Sequence, residues 1–281
     1  MDTATPSVSP DQLAAALGRA DAPLVLDVRR PERFAESPVI LPRARHCPPD
    51  EVARFAATQP PAAVVVYCVH GHEVSHAAAD VLRAAGWKAR FLAGGIEGGE
   101  GGVDDPALIR SWRSSALPRL RKRADLGVTG ERPSRWITRA RPKIDRIACP
   151  WLVNRFIDPA AEFLYVPVER VFDEAARLQA VPYDIPGAPI GHDGALCSFD
   201  TLLRAFALDD PALLALARIV RGADTDRLDL APQSAGLLAV SRGLSDLHQD
   251  DHAMLAAAMP LYDALYAWCR GALAPQAGAS Q

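Results

Sequence analysis

The chain of 281 residues has no long apolar run. The longest, Ala62 to Val69, is under half the ~20 residues a membrane helix needs, which excludes such a helix. The first ten residues hold one Asp and no Lys or Arg, so no secretory leader is expected and the expected compartment is the cytoplasm. Cysteine is sparse: Cys47, Cys68, Cys149, Cys197 and Cys269 are odd in number, far apart, and form no Cys-x-x-Cys pair. That excludes a disulfide framework and a four-cysteine zinc site, and leaves each thiol to act singly. No internal repeat, helix-turn-helix or aromatic-interleaved basic patch is present, which disfavours nucleic acid as a partner.

What is there is ordinary for a globular protein. The apolar fraction is 49% and the charged fraction 23%, which excludes a disordered or collagen-like chain. At ~150 residues per domain the length predicts two domains. The net charge of −3 conceals an asymmetry: residues 110–146 carry 12 Lys/Arg against 3 Asp/Glu. This stretch reads either as a solvated linker or as a surface that attracts oxyanions or nucleic acid.

Residues 1–105 alternate strands and helices. A helix is expected over 12–20, a buried strand over 24–28, a short helix from Pro31, a strand over 64–67, a helix from Val74 to Ala85 and a strand over 88–92. This pattern predicts an α/β domain with a mainly parallel sheet. Residues 106–133 read as a basic helix and linker. Residues 134–271 read as a mostly helical α+β domain. Its expected strands are 135–139 and 162–166, its helices 144–156 apart from Pro150, 198–206, 210–221, 232–243 and 245–270, the last interrupted at Pro260. Residues 272–281 are expected to be a flexible tail.

Cys68 follows a buried strand and precedes a helix. Backbone N–H groups converge there, and the helix N-terminus favours an anion or a thiolate. His70, Gly71 and His72 suit a tight polar loop around it, with imidazoles able to move protons near neutrality. Asp27-Val28-Arg29, Tyr67-Cys68-Val69-His70-Gly71-His72 and Leu92-Ala93-Gly94-Gly95-Ile96 resemble the signatures of the rhodanese family. The resemblance implies that Cys68 is the nucleophile of a sulfurtransferase and accepts a sulfane sulfur as a persulfide. It further implies that His70, Gly71, His72, Glu73 and Ser75 shape the substrate loop, and that Asp27 and Arg29 hold it. The partners would be a small-molecule sulfur donor and a thiol acceptor. Many members carry an Arg where this chain has Glu73, so a dianion such as thiosulfate is expected to be a poor donor. Val74 stands where a related phosphatase loop needs Arg, which disfavours phosphatase activity.

In the second domain Arg139, Arg141, Lys143 and Arg146 lie within eight residues, a density suited to binding oxyanions. Further on come His192, Asp224 and the pair His248 and His252, whose i, i+4 spacing on one helix would let them share a metal. A site of His192, Asp224 and His252 for a divalent transition metal is therefore expected; in the alternative these are helix caps, turn residues and solvated side chains. Lys143 to Leu152, Cys197-Ser198-Phe199-Asp200, Arg221 to Asp226 and Tyr262 to Tyr266 resemble the C-terminal domain of the chromate-resistance proteins. That resemblance implies chromate or another oxyanion as a ligand.

The leading reading is a persulfide-carrying sulfurtransferase coupled to an oxyanion-resistance domain. Two alternatives stand beside it. One is a chromate-responsive sensor or transcriptional regulator without turnover. The other is a metal-dependent enzyme in the second domain with an inactive rhodanese-like scaffold.

Overall fold

The computed structural model describes residues 6–273. The chain divides into two units, residues 1–133 with 155–159 and residues 134–154 with 160–281. From residue 274 on, the expected tail lies outside the described residues. Among the described residues no helix is long and apolar enough to cross a membrane.

The first unit runs β1 (Ser7–Val8), α1 (Pro10–Ala16), β2 (Leu24–Asp27), α2 (Pro31–Glu36), β3 (Val39–Ile40), β4 (Ala44–His46), α3 (Val52–Thr58), β5 (Ala63–Tyr67), α4 (Glu73–Ala84), β6 (Lys88–Leu92), α5 (Pro106–Arg113) and β7 (Leu120–Arg121). Five strands form a parallel sheet in the order β1-β6-β5-β2-β4. Val64, Val65, Val66 and Tyr67 are all buried, as a strand covered on both faces requires, and this is why β5 reads as an unbroken apolar run. On one face Val64 and Val66 pack with Val52 and Ala56 of α3 and with Ala78, Ala79 and Leu82 of α4.

The segment expected as a basic helix and linker supplies that helix as α5, and its linker part is folded into this unit. β7 pairs antiparallel with β3, and Trp112, Leu117, Leu120, Leu126 and Val128 are buried. Few apolar residues lie between 106 and 133, but these five are inside, and the arginines between them conceal the pattern. Lys122 lies over the Phe34 ring, 3.4 Å from its centroid, and donates to the Phe34 carbonyl.

The second unit contains β8 (Arg135–Arg139), α6 (Asp145–Leu152), β9 (Glu162–Val166), α7 (Val171–Leu178), β10 (Val181–Pro182), α8 (Ser198–Ala205), α9 (Pro211–Asp224), α10 (Ser234–Leu247) and α11 (Asp251–Leu273). Its three strands form a small parallel sheet, β10-β8-β9. Two sequence expectations need correcting. Helix α7 was not anticipated; it is short, and it forms by laying Val171 and Ala175 on Ile137. The prolines do not break their helices: Pro150 sits within α6 and Pro260 within α11. Pro150 has no N–H for the Arg146 carbonyl four residues earlier. The Tyr183 hydroxyl donates to that carbonyl instead, at 3.2 Å.

Candidate functional site

The register of β2 against β5 sets Asp27 opposite Tyr67, so Cys68 emerges at the carboxyl end of the sheet, where open α/β sheets bind ligands. Two glycines let the loop close. A Cβ on Gly71 (φ +82°) would lie 2.7 Å from the Gly95 nitrogen, and one on Gly95 (φ +57°) would lie 2.5 Å from the Gly71 nitrogen. Backbone meets backbone there, and a side chain has no room. Ile96 N–H donates to the Cys68 carbonyl at 3.0 Å and Glu97 N–H to that of Val69 at 2.9 Å, which pins the loop from below. Among the described residues, no backbone N–H from Val69 to Val74 donates to a protein acceptor. These six amides, directly after the cysteine in the chain, are unspent donors.

The Cys68 thiol is 6% exposed and donates to Ser75 Oγ at 3.4 Å, while Ser75 Oγ donates to the His72 carbonyl at 2.9 Å. His70 Nδ1 lies 3.1 Å from the Gly99 carbonyl and His72 Nε2 lies 2.8 Å from Asp104 Oδ2, so both imidazoles are anchored. A cavity of about 280 Å³ opens over Cys68, bordered by His70, His72, Glu73, Arg30 and Arg33. Arg30 and Arg33 escaped the sequence reading; nothing in Arg29-Arg30-Pro31 tells which arginine turns toward the cysteine. Arg29 itself is 2% exposed and committed to Asp27, with Nε 2.8 Å from Oδ1 and Nη2 2.5 Å from Oδ2. The Tyr67 hydroxyl completes the cluster, donating to Asp27 Oδ2 at 2.7 Å.

The second unit holds another cavity, of about 430 Å³. Arg139, Lys143 and Arg146 line it, joined by Arg242, which the sequence reading did not single out. Arg141 does not line it. Its guanidinium donates to the carbonyls of Ser245 and His248 and satisfies the end of α10, a structural task. Arg139 and Arg146 lie 3.4 and 3.2 Å from Asp184 Oδ2, whereas the side chains of Lys143 and Arg242 make no hydrogen bond or ion pair among the described residues.

Beside these cations lies an acidic cluster around His192. Its Nε2 is 3.0 Å from Asp224 Oδ2, 3.5 Å from Asp184 Oδ1 and 3.6 Å from Asp145 Oδ2. The structure thus brings His192 and Asp224 together but does not add His252. The expected helix over 245–270 breaks at His248, whose extended backbone (φ −112°, ψ 123°) ends α10, while His252 belongs to α11 and meets the Tyr165 ring edge-on. The two histidines therefore share no helix face. Asp145 and Asp184 take the place of His252. Asp145 stood in view among the arginines as an acid in a basic run; Asp184, in a Pro/Gly-rich stretch, carried no signal. Burial and the neighbouring carboxylates push Asp145 and Asp224 above the usual carboxylate range. Ile144, just before Asp145, is held at φ +32°, a costly conformation for a β-branched residue.

The basic run 110–146 is largely used within its own units. Arg119 stacks on Trp112, Arg123 pairs with Asp125, Arg135 with Glu162, and Arg139 and Arg146 with Asp184.

Comparison with known proteins agrees with this division. Residues 9–101 match the family model of the rhodanese-like domain, and residues 136–269 match that of the ChrB C-terminal domain. Protein ChrB of Cupriavidus metallidurans is 34% identical over 150 residues, which cover 50% of this chain and 45% of that protein. The chain thus spans about half the length of this curated relative. A rhodanese-like domain protein from Staphylococcus aureus is 25% identical over 34% of this chain and 94% of its own, with a TM-score of 0.29. A rhodanese homolog from Thermus thermophilus is 30% identical over 33% of this chain and 98% of its own, with a TM-score of 0.27. The chain therefore carries a rhodanese-like domain over residues 9–101 and a ChrB C-terminal domain over residues 136–269, fused in one polypeptide.

Proposed function

We propose that the first unit is a sulfurtransferase, a transferase that carries sulfane sulfur on Cys68, and that the second is an oxyanion-binding domain coupled to it. The observation that carries the reading is the run of unspent backbone N–H groups from Val69 to Val74 around a thiol that opens into a cavity. The Cys68 thiolate attacks the outer sulfur of the donor. A new S–S bond forms, the donor's own S–S bond breaks, and the remainder leaves as a thiolate or as sulfite. The Cys68 persulfide then gives its outer sulfur to an acceptor thiolate, and the Cys68 thiolate returns. No external oxidant or reductant is consumed, and dividing the transfer in two lowers the barrier of each step. The loop amides hold the terminal sulfur's negative charge in place. The chemistry needs a free thiol, so the reducing cytoplasm is the proposed compartment.

Charge at the cavity mouth sets donor choice. Glu73 repels a dianion and Arg30, without an ion-pair partner among the described residues, attracts it. Intact-mass measurement after exposure to thiosulfate or to a low-molecular-weight persulfide tests the reading. One added sulfur atom is expected, loaded faster from the persulfide. Glu73→Arg is expected to raise thiosulfate loading about tenfold, and Arg30→Ala to lower it by a similar factor, each about the worth of one charge-assisted contact. If neither donor adds sulfur, the first unit is only a scaffold; if both variants load like wild type, the mouth does not select the donor.

For the second unit, Lys143 and Arg242 are uncommitted cations at a cavity with room for a tetrahedral oxyanion such as chromate, which the carboxylates of Asp184, Asp224 and Asp226 also line. Calorimetric titration with chromate and with sulfate is expected to show binding that Lys143→Ala/Arg242→Ala removes. Binding unchanged in that variant would place the anion elsewhere.

A further inference from the structure

We infer that Asp145, Asp184, His192 and Asp224 form a site for one divalent transition-metal ion in the second unit. These residues come from the start of α6, the loop after β10, the loop before α8 and the end of α9. Their separation along the chain makes their convergence a product of the fold.

The spacing fits an ion. With metal–ligand distances of ~2.0–2.2 Å, donors around one centre lie about 3–4.4 Å apart. His192 Nε2 lies 3.0–3.6 Å from an oxygen of each of Asp224, Asp184 and Asp145, inside that range, and ligand atoms of Asp145, Asp184 and His192 all lie within 4.8 Å of one another.

A second, independent observation is the state of Asp145. It is fully buried, yet its Oδ1 has no hydrogen-bond partner. The neighbouring Cys197 thiol is a weak donor and makes no bond of ordinary geometry with it. Buried carboxylate oxygens rarely go without a partner, and a cation is the partner that three converging carboxylates call for.

The surroundings hold the ligands in position. Ser198 N–H donates to Asp145 Oδ2, and Ser198 Oγ donates to Asp184 Oδ1 at 2.8 Å. Arg139 and Arg146 hold Asp184 Oδ2, which leaves Oδ1 turned toward His192. Such outer contacts orient ligand oxygens. The imidazole disfavours Mg²⁺ and Ca²⁺, and the oxygen-rich set without thiolate disfavours Cu⁺, so Mn²⁺, Fe²⁺ and Zn²⁺ fit best.

The test uses the full chain, stripped with a chelator and titrated separately with Mn²⁺ and Zn²⁺ by calorimetry, with melting curves in parallel. One ion per chain and a melting temperature that rises with added ion are expected. His192→Gln and Asp224→Asn are each expected to weaken binding at least tenfold. His192 is half exposed, so its replacement leaves the fold standing. Asp145 is left unaltered, because its burial would confuse misfolding with lost affinity. No stoichiometric uptake of either ion overturns the assignment, as does wild-type affinity in His192→Gln.

Discussion

Cys68→Ser is expected to reduce sulfur loading to background with either donor while the fold persists. The serine oxygen can take the place of Sγ and donate to Ser75 Oγ as the thiol does. A hydroxyl, however, stays protonated at neutral pH and is a poor nucleophile toward sulfur. Intact mass should show no added sulfur on the variant, with an unchanged circular-dichroism spectrum. Alkylation provides a second readout. Burial pushes the Cys47 thiol up to about 11 and raises Cys149, Cys197 and Cys269 as well, so these four remain protonated and enclosed. Cys68, opening into its cavity, should be labelled first by iodoacetamide at pH 8, and peptide mapping of the Cys68→Ser variant should find that fast label gone. Added sulfur on the variant, or first labelling at Cys47, would move the chemistry to another residue.

Arg29→Met is expected to cost the first unit ~3–5 kcal/mol, because it leaves the Asp27 carboxylate buried without its cation. The pair is almost wholly enclosed, and Arg29 also donates to the Val39 carbonyl at 3.0 Å, so the change loosens β2, β5 and the β3 segment together. Removing both charges in Asp27→Leu/Arg29→Met should recover part of the loss. Recovery is incomplete because the Tyr67 hydroxyl then loses its acceptor, worth a further ~1–3 kcal/mol. Hydrogen exchange of the β2 and β5 amides measures the opening of this unit separately from the other. Exchange as slow in Arg29→Met as in wild type would show that the pair is not a stabilising element.

Much of the first unit was legible in the sequence. β5 and β6 are short apolar runs bounded by turn residues, and the carboxyl end of β5 leads directly into Cys68-Val69-His70-Gly71, so local order along the chain and order in space coincide. The linker expected after the helix within 106–133 was misread because its buried apolar residues, Leu117, Leu120, Leu126 and Val128, are spaced for packing against the rest of the unit, with no period of their own. The helix expected to hold His248 and His252 together was misread for a related reason. Both sides of the break are helical in pattern, and the break itself lies in His248-Gln249-Asp250, where the Asp250 side chain accepts from Ala253 N–H at 2.7 Å to start a new helix.

The sequence by itself determined the two-domain plan, the parallel sheet and the cysteine at its end, since buried strands, helix periods and tight glycine turns are all written within a few neighbouring residues. Only the tertiary structure decided which arginines face Cys68 and which acids surround His192. Asp145 and Asp224 are 79 residues apart, yet the Asp145 N–H lies 3.4 Å from Asp224 Oδ1. A single polar residue in a loop has no period to reveal its partner; long-range packing of the elements on either side brings such residues together.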